Sequence, residues 1–108
     1  MQLAWVLLAV TILLEVAGSI CMKLSNGFAA FWPSVGVFVF YAAAFATLTI
    51  VLKTIELSIA YAIWAGAGTA LIAAIGILAF GESASSLKLA SLALVVLGVI
   101  GLNLASQA

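Results

Sequence analysis

The sequence carries six charged side chains, three Glu and three Lys, and five of them stand within two residues of a polar or turn-forming residue. The exception is Glu15, the only charge between Leu3 and Met22. A charged carboxylate near the middle of an apolar span costs at least about 2.5 kcal/mol by insertion scales, so such residues are rare unless they have a function. Thr11, Gly18, Ser19 and Met22 lie three, four and seven residues from Glu15, so one stripe of a helix through it is polar or small. Leu7, Leu13, Leu14 and Ile20 are left for lipid or packing partners. The stripe is expected to face a cavity, and a carboxyl there can carry a proton or hold a cation. The bland alternative is a protonated Glu that bonds across a helix interface.

A second group lies at Tyr61 and Trp64, three residues apart, with Gly66 and Gly68 following. Aromatic faces attract organic cations by about 0.5 to 2 kcal/mol each, and Glu15 would supply the countercharge. Helix packing explains the same spacing equally well. Gly66 and Gly68 permit close approach or a bend. Phe38, Tyr41 and Phe45 form another aromatic stripe, unspecific by itself.

Four membrane helices are expected to position these groups. Hydrophobic residues make up 69% of the 108 and charged residues 6%, too little polar surface for a soluble domain. Spanning about 30 Å of hydrocarbon takes about 20 helical residues, and the charges punctuate the chain accordingly. Spans near 3–22, 31–52, 58–80 and 86–104 result, in one transmembrane domain covering 1–108. A barrel is disfavoured because no period-2 alternation is sustained. Pro33 fits the start of the second span, beside interfacial Phe31 and Trp32, and Ser85 or Ser86 can cap the fourth. In the fourth span Leu87, Ser91, Leu94, Gly98, Gly101 and Ala105 recur at alternating four- and three-residue intervals. This small-residue seam is expected to join two subunits.

Lys23 and Lys88 fall on one side of the membrane, Lys53 and both termini on the other. A bias of one lysine does not hold an orientation, and dual insertion is expected. Balanced charge argues against nucleic acid. Histidine is absent and Cys21 stands alone, so no disulfide, zinc constellation or catalytic triad can be assembled within the chain; no enzyme and no cofactor are expected. The N-terminus lacks the basic region of a cleaved signal and is expected to be retained. Ile20 before Cys21 disfavours lipoprotein processing.

The chain resembles the small multidrug resistance transporters over nearly its whole length. The resemblance rests on Glu15-Val16-Ala17-Gly18 leading to Met22-Lys23, on Asn26-Gly27-Phe28, on Trp32-Pro33-Ser34, and on Ala60-Tyr61-Ala62-Ile63-Trp64 with Gly66 and Gly68. It implies a proton-coupled antiporter of the bacterial inner membrane, an antiparallel homodimer driven by the proton gradient. In it Glu15 binds protons or an organic cation by turns, and Tyr61, Trp64, Thr11, Gly18, Tyr41 and Ala44 line the site. Gly18 resembles the branch exporting quaternary ammonium compounds, since guanidinium exporters typically hold a tryptophan there. Gly81-Glu82-Ser83-Ala84 and Leu89-Ala90-Ser91-Leu92-Ala93-Leu94 look more like the guanidinium branch. Weighting the site over the scaffold favours quaternary ammonium substrates. Ala44 stands where many members have serine, and Ala46 where multidrug members have a bulky aromatic. The alternatives are a guanidinium exporter, one half of a heteromeric transporter for polyamines or lipid-linked substrates, and a non-transporting subunit in which Glu15 locks an interface.

Overall fold

In the computed structural model, which describes residues 2–106, four helices follow one another: α1 (Gln2–Leu24), α2 (Phe31–Val51), α3 (Leu57–Ala79) and α4 (Ser86–Ser106). Each is long and apolar enough to cross a membrane, and no strand occurs among the described residues. The chain is an all-α, multi-pass membrane protein. Continuous helices satisfy the backbone where lipid offers no hydrogen-bond partner.

The connections are short and locally determined. After α1, Asn26, Gly27 and Phe28 all take positive φ, at 51°, 69° and 67°. That conformation is easy for glycine and uncommon for a bulky residue. Buried Ser25 holds the turn: its Oγ donates to the Met22 carbonyl at 2.8 Å and accepts from the Phe28 N–H at 3.2 Å, while Phe28 stacks on Phe38 at 5.9 Å. Pro33 falls in the first turn of α2, where an N–H would have no helical partner. Gly81, at φ 67°, turns the chain after α3 so that the Glu82 N–H returns to the Gly76 carbonyl at 3.0 Å. Of the two candidate caps for α4, Ser85 serves: its Oγ accepts from the Lys88 N–H at 3.2 Å.

The helices form a slab with extents of 45 × 35 × 17 Å. α1 packs on α2 and α3, and α3 carries α4. Ala4, Leu8, Ile12 and Val16, four residues apart along α1, pack with Leu48 and Val51 of α2 and Ile59, Ala60, Ile63 and Trp64 of α3. α4 has no buried residue; Val99 and Leu102 lean on the core from its α3 side. Lys23, Glu82 and Lys88 lie at one end of the slab, with Lys88 3.6 Å from Glu82 in a partly exposed ion pair. Glu56 and Thr54 lie at the other end with Trp5 and Ser106.

Candidate functional site

Glu15 occupies the middle of α1, on the side that meets α3. Its Oε2 lies where α3 lacks a side chain: a Cβ at Gly68 would stand 2.7 Å from Oε2 and 3.4 Å from Cδ. This oxygen is buried and has no hydrogen-bond partner. Trp64, one turn before Gly68, is buried too, and its indole Nε1–H is the other buried polar side-chain group left without a partner among the described residues. One orphan accepts and the other donates. Buried polar groups are nearly always satisfied in a finished structure, so two complementary orphans on the α1–α3 side make this the candidate site.

The aromatic groups form one arc. Tyr61 and Trp64 stand 5.6 Å apart between ring centroids, Phe45 and Trp64 also 5.6 Å, and Tyr41 and Phe45 6.1 Å. Phe45 therefore joins the α3 pair to the α2 stripe. Sequence reasoning named Phe45 without singling it out, because period within α2 says nothing about which helix faces it. Tyr61 and Phe45 are about half exposed, which leaves ring surface available along the arc. On α2, Phe38, Tyr41 and Phe45 also bound a shallow hollow of about 550 Å³ with Met22 and Val37.

Other expected lining residues lie in the α1–α2 seam. Thr11 and Ala44 are both fully buried and bonded to each other, the Thr11 hydroxyl donating to the Ala44 carbonyl at 2.5 Å. That hydroxyl proton is spent on holding two helices together. Gly18 also faces α2: a Cβ there would meet Tyr41 Cδ2 at 2.7 Å and Phe40 Cβ at 3.3 Å. The small residue makes room for the Tyr41 ring, which is pinned by a 2.6 Å hydrogen bond between its hydroxyl and that of Ser19. Space at Gly18 is thus filled, whereas its place on the polar stripe beside Glu15 suggests open cavity. Ala46 is exposed on α2.

Gly66 and Gly68 differ in what they meet. Two residues on a helix are about 200° apart, so their missing side chains point nearly opposite ways. Gly66 admits Val99 of α4, whose Cγ2 would lie 2.6 Å from a Cβ, and Gly68 admits the carboxylate. Helical structure runs unbroken through both. In α4, Ser91, Leu94, Gly98 and Gly101 are all exposed, and a Cβ at Gly98 or Gly101 would meet nothing within 4 Å. No group of three or more His, Cys, Asp or Glu that could hold a metal occurs among the described residues.

The chain that carries this arrangement is similar to known proteins over most of its length. The family model for the Small Multidrug Resistance protein matches residues 3–95. The membrane protein YvaE of Bacillus subtilis is 46% identical over 93% of this chain and 84% of its own length. Multidrug resistance protein EbrB of Bacillus subtilis is 51% identical over 89% of this chain and 82% of its own. The guanidinium exporter of Escherichia coli is 39% identical over 97% of this chain and all of its own. With the family model covering most of its length and relatives of this identity aligned nearly end to end, the chain belongs to the small multidrug resistance family of membrane transporters.

Proposed function

We propose that this protein is a proton-coupled antiporter that exports small lipophilic organic cations, quaternary ammonium compounds among them, across the bacterial inner membrane as an antiparallel homodimer. The observation that carries the reading is Glu15: the one charged side chain near the middle of a span has a buried, unpartnered oxygen and lies on the same side of α3 as the orphaned Trp64 indole. A single acid that can hold either a proton or a cation, never both, couples two fluxes by competition. Cation entry expels the proton and proton entry expels the cation, so an inward proton gradient drives export. Trp64, Tyr61, Phe45 and Tyr41 offer ring faces to a cation that has left water. Two Glu15 carboxyls, one from each subunit, would face one cavity and titrate as a coupled pair.

The dimer is supported by the outward seam of α4 and by charge. Three lysines divided two and one between the membrane faces leave orientation nearly undecided, and copies inserted both ways supply both halves of an antiparallel pair. Identity of 50–51% to proteins called multidrug resistance protein EbrB, against 39–41% to guanidinium exporters, supports the broader substrate range. One observation favours the second reading, a guanidinium/proton exporter: Tyr41 fills the space beside Gly18, so the absent tryptophan leaves no gap for a bulky ion.

The deciding experiment reconstitutes purified protein in liposomes, applies a proton gradient, and compares uptake of tetraphenylphosphonium with that of guanidinium. Uptake of the bulky cation, dissipating the gradient, is the expected result. Guanidinium transport alone establishes the second reading, and no gradient-driven flux of either cation refutes both.

A further inference from the structure

We infer that Gly68 is a positioning residue: the side chain missing there forms the seat that holds the Glu15 carboxylate against α3, and it sets the group's affinity for protons and cations. The inference rests on reading Glu15 as the exchanging group. Glycine in the interior of a helix is less favourable than alanine, so its presence in α3 calls for a local reason. At Gly68 the reason is steric. A methyl group would stand 2.7 Å from Oε2, too close for carbon and oxygen that are not bonded, and in ordinary contact with Oε1 at 3.6 Å. The obstructed atoms are the end of a flexible side chain, so alanine would push the carboxylate away and leave the helices where they are.

The effect of such a shift follows from the surroundings. Oε2 is buried without a partner at its seat. Moving it changes its solvation and its distance from the Trp64 indole, and both change the balance between protonated and ionised forms. The facing helices bring no other charge to this depth: α2 carries Tyr41, bonded to Ser19, α3 carries Tyr61, and α4 has only Lys88 at its start. Gly66 provides the internal control. It lies in the same helix and gains the same backbone stiffness from alanine, but its missing side chain faces Val99 and Val95 of α4.

The chain has only three carboxyl side chains, Glu15, Glu56 and Glu82, so the test can read each by carbon-13 NMR of labelled glutamate in lipid bilayers. Gly68→Ala is expected to move the Glu15 titration midpoint by about one pH unit and leave Glu56 and Glu82 in place. Gly66→Ala is expected to leave the Glu15 midpoint unmoved. Glu15→Asp draws the carboxyl back by one methylene, so combined with Gly68→Ala it should bind tetraphenylphosphonium no worse than Glu15→Asp alone. An unmoved midpoint in Gly68→Ala, or an equal shift in Gly66→Ala, overturns the inference. If Gly68→Ala does not fold, a dipolar coupling between the labelled Glu15 carboxyl carbon and the Gly68 α-carbon in the unmodified protein decides, since its absence means that there is no seat. A coupling in a protein that transports neither protons nor cations leaves the seat intact and refutes the antiporter instead.

Discussion

The first and last helices are of similar length and hydropathy, yet the fold uses them in opposite ways. α1 buries Ala4, Leu8, Thr11, Ile12 and Val16 between two neighbours, and α4 buries nothing. Between helices in lipid the hydrophobic effect offers little, so close packing and hydrogen bonds decide which faces meet. On α1 the small and polar positions are taken up inside the chain: Gly18 by Tyr41, Thr11 by the Ala44 carbonyl, Glu15 by Gly68. On α4 Gly98 and Gly101 meet nothing. The contrast separates a helix whose special residues are packed inside the chain from a helix whose small residues meet nothing within it.

Breaking the α1 side should have the largest effect. Glu15→Gln keeps the shape of the side chain but cannot ionise, so proton-coupled uptake in liposomes should vanish while helix content and detergent stability stay unchanged. Retained gradient-driven uptake by this variant would remove Glu15 from the mechanism.

The α4 side should break at assembly instead. Gly98→Leu adds a side chain that clashes with nothing in the chain itself, so the fold should persist while self-association in bilayers weakens at least about tenfold, a loss of about 1.4 kcal/mol. Undiminished association would show that the seam faces lipid. Orientation offers a second approach to the same assembly: two lysines added to the turn between α2 and α3 should force both termini inside and lower transport severalfold. Full activity from a singly oriented chain, expressed alone, would exclude the antiparallel homodimer.

Smaller effects sharpen the site. Trp64→Phe should keep more cation affinity than Trp64→Leu, by about 0.5 to 2 kcal/mol, because leucine preserves bulk and loses the ring face. Competition binding with tetraphenylphosphonium measures the difference, and equal affinities would reduce Trp64 to packing. Thr11→Val removes the hydrogen bond to Ala44 and should cost about 1 kcal/mol of stability in a thermal or denaturant titration. A much larger loss of transport than of stability would place the Thr11 hydroxyl in the site as well.

Much of this was legible in one dimension. Charges spaced 20 to 30 residues apart implied four spans because helix length and membrane thickness leave no other arithmetic, and Ser85 was one of two caps that could be named. Glu15 stood out because a carboxylate inside a hydrophobic run is expensive whatever surrounds it. Helical period also places Tyr61 with Trp64, since neighbours on one helix need no tertiary information.

The pairing between helices was not legible, and it altered several readings. Gly18 belongs to the same polar stripe as Glu15, but the stripe is wide enough for its edges to face different neighbours, Gly18 meeting α2 while Glu15 meets α3. Tryptophan at position 18 would therefore displace Tyr41 before it narrowed any opening. Phe45 joins the aromatic arc only because α2 brings it within 5.6 Å of Trp64. Gly66 and Gly68 look like one flexible pair along the chain and serve two different partners across it. The sequence by itself determined how many helices there are, where they end to within about two residues and which residue carries a carboxyl at mid-span, because these follow from backbone hydrogen bonding, bilayer thickness and the cost of burying a charge. Only the tertiary structure decided what lies against each small residue, because an absent side chain is defined by the atoms that fill its space.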